Sequence, residues 1–290
     1  MHVPGLSQPS VGPVARRPPT TPSPMLDVEF AQLTDCGRVR NHNEDCLGYV
    51  VPATPEQARQ HGWLFALADG VGGQQQGEVA SRAAVERLLA GFREAAVGES
   101  PLDLLPRLVQ AANTRVHEAA ATSGPGGAGM ATTVVACVFR FDRVAVAHVG
   151  DSRCYLIRHG HARALTRDHT FASEQVRLGL LSAREAGEAS TRHVLSRSLG
   201  GELFVAAETS EHILLAGDAL LLCSDGLHGS VEASEMAAVV SPQTDLKAAA
   251  QRLVSLANER DGGDNISVQV IRIRSVERVG MYRGRPYRLR

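Results

Sequence analysis

Short apolar runs that end in an aspartate recur along this chain. A run of four to eight apolar residues bounded by glycine is typical of a buried strand. A carboxylate at the end of such a strand stands on a rigid support close to the core. The runs lie at residues 64–69, 144–151, 219–225 and 262–268, and they carry Asp69, Asp151, Asp225 and Asp264.

The spacing of the other apolar residues predicts a mixture of helices and strands. Ala80, Ala84, Leu88 and Phe92 recur every four residues, which predicts an amphipathic helix over residues 77–96. Two further helices are expected at residues 102–120 and 246–257. The other strands are expected at residues 27–34, 63–68, 131–139, 143–149, 153–158, 162–166, 204–209, 218–224 and 266–274.

The connections between these strands indicate the fold class. The four strands from residue 131 to residue 166 are joined by segments too short for crossover helices, which favours antiparallel pairing in one meander. Residues 158–161 predict a hairpin turn within it. A charged segment from Asp168 to about Arg197 follows. We therefore expect an α+β fold of antiparallel sheets covered by helices.

Composition narrows the class of protein. The chain has 290 residues, 43% hydrophobic residues and a net charge of −1, so no global charge draws it to nucleic acid or to a membrane surface. No stretch approaches the roughly 20 apolar residues of a membrane span. The five cysteines form no C-x-x-C pair, which favours reduced thiols in a cytoplasmic protein.

The two ends of the chain differ from its centre. Residues 1–25 are rich in proline and poor in large apolar groups, which predicts a disordered leader. Residues 276–290 form an arginine-rich tail, which we expect to be solvated. We interpret the remaining residues, 26–275, as one domain.

The aspartates and their neighbours predict a metal site. Clustered carboxylates raise one another's pKa unless a cation lies between them, and a set of oxygen ligands suits hard divalent metals. The carbonyl of Gly70 can join this set, because glycine lets the backbone approach closely. Arg40 offers a planar fork of donors to phosphate, and Glu44 and Asp45 can orient water on a metal. Together these residues suggest phosphoryl chemistry.

Other motifs are weaker. Residues 124–129 match G-x-G-x-x-G, but they follow a predicted helix instead of a strand, so we interpret them as a linker. No G-x-S-x-G elbow is present for a serine nucleophile. His148 is expected to be a satisfied core residue. His42, His169 and His193 lie in polar segments and can assist proton transfer.

Seven motifs, taken in order, resemble those of the metal-dependent type 2C protein serine/threonine phosphatases in their compact bacterial form. They cover almost the whole chain outside its two ends. The motifs are at residues 34–45, 68–73, 129–133, 148–153, 196–200, 223–227 and 263–267.

The resemblance implies a four-layer α-β-β-α sandwich, with two antiparallel sheets flanked by helices. It also implies two Mn²⁺ or Mg²⁺ ions, with a third at a weaker site, and a flap at about residues 168–193 that contacts protein substrates. The implied roles are Asp69 bridging the two metals, the Gly70 carbonyl on one of them, Asp225 and Asp264 on the other, Asp151 at the third, Arg40 on the phosphate, and Glu44 and Asp45 behind the ligands.

The implied mechanism needs no covalent phosphoenzyme. Two cations roughly 4 Å apart lower the pKa of a bridging water, and the resulting hydroxide attacks phosphorus in line. One departure concerns proton supply: bacterial members commonly carry histidine where this chain has Gln74. Glutamine cannot act as a general acid near neutral pH.

We therefore expect a monomeric cytoplasmic phosphatase that acts on phosphoserine and phosphothreonine in proteins. Its partners would be phosphoproteins, a bacterial serine/threonine kinase and the substrates of that kinase, with no nucleic acid or membrane. Two alternatives stay open: a non-catalytic module that binds phosphopeptides or metal, and a phosphomonoesterase for small molecules.

Overall fold

The structure is a computed structural model that describes residues 25–71, 76–123, 129–282 and 285–288. The strands in these ranges are β1 (Asp27–Asp35), β2 (Asp45–Val50), β3 (Trp63–Val71), β4 (Ala131–Thr132), β5 (Val134–Arg140), β6 (Arg143–Val149), β7 (Arg153–Arg158), β8 (His161–Ala164), β9 (Glu208–Ile213), β10 (Ala219–Cys223), β11 (Ile266–Ser275), β12 (Val279–Tyr282) and β13 (Arg285–Arg288). The helices are α1 (Pro55–Gln60), α2 (Gln76–Arg93), α3 (Pro101–Thr122), α4 (Phe171–Arg177), α5 (Ala183–Glu188), α6 (Asp225–His228), α7 (Ala233–Val240) and α8 (Leu246–Arg260).

Two antiparallel sheets form the centre of the fold. The first has the order β2-β3-β5-β6-β9, with β4 paired to β3, and the second has the order β1-β11-β10-β7-β8. Helices α2 and α3 cover the outer face of the first sheet, and α7 and α8 cover the second. A third apolar cluster fills the space between the sheets. The expected four-layer sandwich is confirmed.

Strand β3 is buried on both faces, which explains the continuous apolar run in its sequence. Side chains alternate between the two faces of a strand. Leu64 and Ala66 pack towards the helices, whereas Phe65 and Leu67 pack between the sheets. Because both faces are covered, all four residues are buried and no polar alternation appears.

The single meander expected over residues 131–166 is wrong. Strands β5 and β6 pair, and β7 and β8 pair, but β6 and β7 belong to different sheets. The short turn at residues 150–152 crosses between the layers, with Gly150 at a φ of 103°. A short connection therefore excludes a crossover helix without requiring its two strands to pair.

Several other segments differ from the expectation. The strand expected at residues 204–209 is found at Glu208–Ile213, and β2 was not expected. The charged segment after β8 contains α4 and α5, and the arginine-rich tail contains the β12–β13 hairpin. The five cysteines are free thiols, and no helix among the described residues is long and apolar enough to cross a membrane.

Candidate metal and phosphate site

The four aspartates that follow apolar runs meet at one edge of the sandwich. Asp69 lies near the end of β3, Asp151 follows β6, Asp225 follows β10 and opens α6, and Asp264 precedes β11. Burial raises the pKa of Asp69 well above its usual value, and the nearby charges of four carboxylates raise it further. Those four carboxylates belong to Asp45, Asp225, Asp151 and Asp264.

The carboxyl groups are unevenly exposed. Asp45 and Asp151 are buried, whereas Asp69, Asp225 and Asp264 keep part of their surface in contact with solvent. Burial is also the main cause of the raised pKa of Asp225, followed by the charge of Asp264. The cluster thus has a buried floor and a side that is open to solvent.

Asp45 forms part of the buried floor of this cluster. Burial raises its pKa to about 7, against hydrogen bonds that favour the ionised form. Its Oδ2 accepts a hydrogen bond of 2.8 Å from the hydroxyl of Ser224. Its Oδ1 is buried and has no hydrogen-bond partner. An orphaned buried carboxylate oxygen is expensive unless a cation or a water molecule satisfies it.

The donor set fits divalent cations. Four other carboxyl groups lie close enough to Asp69 to raise its pKa, all five groups offer hard oxygen donors, and the guanidinium of Arg40 is bonded to only one of them. Neutral protonated carboxyls are the alternative to a bound cation, which agrees with the raised pKa of Asp69 and Asp45. Of the expected ligands, the structure brings all four aspartates together.

Gly70 lies where two backbone segments approach each other closely. Its N–H donates to the carbonyl of Glu44 at 3.1 Å. A Cβ on Gly70 would overlap the backbone of Gly77 at the start of α2 and would lie 2.7 Å from the carbonyl oxygen of Glu44. Only glycine fits this position, which directly follows Asp69 of the carboxylate cluster. Residues 72–75, with Gln74 among them, lie outside the described residues.

Arg40 stands at the open side of the cluster. Its Nη2 donates to Oδ2 of Asp264 at 2.8 Å, and half of its side chain is exposed. Burial lowers the pKa of Arg40, but attraction to Asp264, Glu44 and Asp225 outweighs this effect and leaves the pKa raised. Burial also raises the pKa of Glu44. Donors of Arg40 that do not contact Asp264 remain available for an anion beside the cluster.

Asn265 was not singled out from the sequence, yet it holds this side of the site together. Its Oδ1 accepts from the N–H of Glu44 at 2.8 Å, and its Nδ2 donates to the carbonyls of Cys36 and His42. The segment that carries Arg40 and Glu44 is thereby fixed to the residue next to Asp264. The available signal was the position of this asparagine between Asp264 and the apolar run of β11.

Thr133 was also missed, and it connects two of the aspartates. Its hydroxyl accepts from the N–H of Asp69 at 3.0 Å and is bonded to the hydroxyl of Ser152 at 2.7 Å. Ser152 directly follows Asp151, whose pKa burial raises to about 7. A buried threonine directly before β5 therefore sets the spacing between the ends of β3 and β6.

The expected histidines have different positions. His148 is buried, with its Nε2 at 2.8 Å from the carbonyl of Arg167, which agrees with a satisfied core residue. His169 is also fully buried, away from the open side of the cluster. His193 is exposed, and its charge lowers the pKa of Asp225, so it lies near the carboxylates.

Comparison with known proteins shows the family of this chain. The family described as Protein phosphatase 2C matches residues 43–261. The chain belongs to this family. The matched range includes Glu44, Asp45, Asp69, Asp151 and Asp225.

Relatives and solved structures are similar over nearly their whole length. The serine/threonine phosphatase stp of Listeria innocua is 35% identical over 255 residues, which are 87% of this chain and 96% of the relative. The crystal structure of the Mycobacterium tuberculosis phosphatase PstP/Ppp is 33% identical with a TM-score of 0.74, covering 86% of this chain and 99% of that one. A PstP catalytic domain in complex with two manganese ions is 32% identical with a TM-score of 0.72, with the same coverage.

Proposed function

We propose that this chain is a phosphatase that hydrolyses phosphoserine and phosphothreonine in proteins and depends on Mn²⁺ or Mg²⁺. The observation that carries the proposal is the meeting of Asp69, Asp225 and Asp264 beside Arg40, which combines a cation site with an anion-binding donor. The name of the Listeria innocua relative and the two manganese ions of the PstP catalytic domain support it.

Acidic oxygens would hold the cations. We assign one pair of ions to Asp69, the carbonyl of Gly70, Asp225 and Asp264, and a third ion to Asp151. When bound, such a pair of cations supplies a water molecule that is deprotonated near neutral pH and can attack phosphorus. Burial and neighbouring charges raise the pKa of Asp69 and Asp225, so without a cation these groups resist ionisation. Bound cations would offset this effect and keep both groups ionised, which favours the assignment.

The residues of the chain would position and stabilise the reacting phosphate. Arg40 binds two of its oxygens and offsets the charge that develops on them as the ester bond breaks. Asp264 holds the guanidinium at 2.8 Å. Glu44 and Asp45 lie behind the ligands and orient water, and the hydroxyl of Ser224 fixes Asp45. No serine or cysteine is required as a nucleophile.

The domain limits follow from the same reasoning. We assign residues 26–275 to the catalytic domain and residues 168–193, here called the flap, to contact with protein substrates. The exposed side chains of Phe171, Leu178 and Leu180 support that contact role. The leader at 1–25 and the tail at 276–290 lie outside the catalytic domain. We place the protein in the cytoplasm as a monomer that opposes a serine/threonine kinase, and its five free thiols support that compartment.

Hydrolysis of a phosphothreonine peptide in the presence of Mn²⁺ tests the proposal. We expect wild type to be active and Asp225→Asn to lose about 100-fold or more in kcat/KM, because one metal ligand is removed. Asp245→Asn is the matched control, since Asp245 caps α8 with a hydrogen bond to the N–H of Lys247 and asparagine caps equally well. Its activity should match wild type.

Three outcomes would contradict the proposal. Wild-type inactivity with every divalent metal, with phosphopeptide binding intact, would indicate a binding module. A higher kcat/KM for sugar phosphates than for phosphopeptides would indicate a small-molecule phosphomonoesterase. An Asp225→Asn variant as active as the Asp245→Asn control would remove the metal site from the mechanism.

A further inference from the structure

Two histidines and a glutamate form a second polar cluster behind the carboxylates. The rings of His148 and His169 stack with centroids 4.6 Å apart and planes at 14°. Nε2 of His169 lies 3.3 Å from Oε2 of Glu208. Each of the three residues offers a ligand atom within 4.8 Å of those of the other two. Such spacing is short enough for a metal site, so the hydrogen bonds decide the role of the cluster.

The hydrogen bonds of this cluster argue against a metal ion. The N–H of Gly150 donates to Nδ1 of His169 at 3.2 Å, so the ring proton is on Nε2 and points at Glu208. A metal on Nε2 would displace that proton towards a nitrogen that already faces a donor. Two nearly parallel stacked rings also cannot both hold one cation in their planes. The cluster therefore acts through its hydrogen bonds.

His169 forms two hydrogen bonds with Gly150. The backbone N–H of His169 donates to the carbonyl of Gly150 at 3.0 Å, and the N–H of Gly150 donates back to the imidazole. On the other side, a Cβ on Gly150 would lie 2.6 Å from Cγ2 of Thr133. Gly150 is thus held between His169 and Thr133 in a left-handed conformation that favours glycine.

The residue after Gly150 is Asp151, to which we assign the third ion. The carbonyl of Asp151 lies 2.9 Å from Nε2 of His228, and the next residue, Ser152, is bonded to Thr133. Three consecutive residues of this turn are therefore each fixed by a side chain from elsewhere in the chain. His169 supplies the acceptor at the first of the three.

His169 also lies where the two ends of the flap meet. Its carbonyl accepts from the N–H of Ser196 at 2.8 Å. The next residue, Thr170, forms a bridge with Leu195, and the N–H of Phe171 donates to the carbonyl of Val194 at 2.9 Å. The two ends of the flap therefore lie beside His169, the residue that also forms hydrogen bonds with Gly150 before Asp151.

We propose that His169 is a positioning residue that fixes the Asp151 turn, and with it the two ends of the flap, by accepting a hydrogen bond from Gly150. This role rests on the proposed function, because it assigns the turn to cation binding. Burial, together with the charge of His148, lowers the pKa of His169 to about 4, so the neutral ring that can accept is the form present near neutral pH.

Two substitutions separate the hydrogen bond from the shape of the ring. His169→Phe keeps a flat ring against His148 but has no acceptor for the N–H of Gly150. His169→Asn loses the stacked ring but places Oδ1 close to the position of Nδ1, where it can accept. His161→Asn is the control, since His161 is an exposed histidine on β8.

The measurements are Mn²⁺ binding by electron paramagnetic resonance and tryptic cleavage of the flap at Arg177, Arg184 and Arg192, each with and without Mn²⁺. For His169→Phe we expect the weakest-bound Mn²⁺ to bind about 10-fold more weakly, as is usual when a partner behind a ligand is lost. We also expect the flap to be cut faster than in wild type. His169→Asn should recover most of both properties, and His161→Asn should match wild type.

Several results would overturn the proposal. One is a folded His169→Phe variant with wild-type Mn²⁺ binding and cleavage, and another is a His169→Asn variant as impaired as His169→Phe. Stoichiometric Zn²⁺ binding that is lost in His148→Ala would make the cluster a metal site instead. If His169→Phe does not fold, His169→Gln replaces it, because glutamine reaches Glu208 but offers Gly150 no acceptor. None of these readouts needs turnover, so wild-type inactivity on phosphopeptides would overturn the proposed function separately.

Discussion

Asp45 and Asp69 lie directly opposite each other at the end of the β2–β3 ladder. Residues opposite each other in an antiparallel pair project their side chains to the same face, so register alone places the two carboxyl groups side by side. Burial raises the pKa of both, that of Asp45 to about 7. In the metal-free protein, ionisation of these two carboxyl groups therefore destabilises the fold.

Asp45→Asn should stabilise the metal-free protein. At pH 8 the ionised Asp45 is buried beside Asp69, and asparagine removes that charge while still accepting from Ser224. We expect the free energy of unfolding in EDTA to rise by about 1–3 kcal/mol. Urea denaturation of wild type and variant measures it, and an equal or lower midpoint for the variant would contradict the interpretation.

The stability of the metal-free protein should fall as the pH rises through 7. The pKa of Asp45 and of Asp151 is about 7 in the folded state against 3.8 in the unfolded chain, so the folded state binds more protons in between and loses stability as they leave. His169 and His228 act in the opposite direction, because their pKa of about 4 lies below the usual 6.5. Their stabilising effect grows up to about pH 7.5 and offsets part of this fall.

Thermal midpoints between about pH 6.5 and pH 8.5 test this sign. In EDTA the midpoint should fall across this range, by the equivalent of about 1 kcal/mol. With saturating Mn²⁺ the fall should disappear or reverse, because metal binding requires ionised carboxylates. A midpoint in EDTA that rises with pH would contradict the assigned carboxyl cluster.

Arg40→Ala should weaken catalysis with little effect on stability. The guanidinium that we assign to the phosphate is lost, so kcat/KM for a phosphopeptide should fall about 10- to 100-fold. The ion pair with Asp264 is half-exposed, so the free energy of unfolding should change by less than about 1 kcal/mol. Arg38→Ala, two residues away in the same segment, is the control. Equal activity of the two variants would remove Arg40 from the site.

Gly70→Ala should disrupt the site through its backbone. The added methyl group would overlap the carbonyl of Gly77, and backbone atoms cannot swing away as a side chain can. We expect a loss of about 1–3 kcal/mol in the free energy of unfolding, together with loss of Mn²⁺-dependent activity. Gly201→Ala is the matched control, since a Cβ there would meet nothing closer than the hydroxyl of Ser198 at 3.9 Å. Full activity of Gly70→Ala would show that the close approach is unimportant.

The positions of the candidate metal ligands were predictable because the elements that carry them are encoded locally. Asp69 and Asp225 each end an apolar run that is buried on both faces, and such runs are recognisable without any tertiary information. We predicted a shared metal site for these aspartates from charge, because several carboxylates near the core need a cation. The order of the motifs added the roles that the resemblance implied.

Other elements depend on partners that are distant in sequence. Strand β2 contains Gly48, where a Cβ would overlap Val85 of α2, so its place is set by packing rather than by its own pattern. Strand β9 is polar and alternating, and its limits come from pairing with β6. The apolar residue that suggested an earlier strand, Phe204, is 74% exposed. The crossing at Gly150 likewise depends on Thr133 and His169.

Mn²⁺ binding by isothermal titration calorimetry tests the central claim most directly. Wild type should bind two ions tightly, as in the PstP complex with two manganese ions, and Asp69→Asn should lose at least one of them or bind about 100-fold more weakly. Asp245→Asn should bind as wild type does. Equal stoichiometry and affinity for wild type and Asp69→Asn would contradict the account.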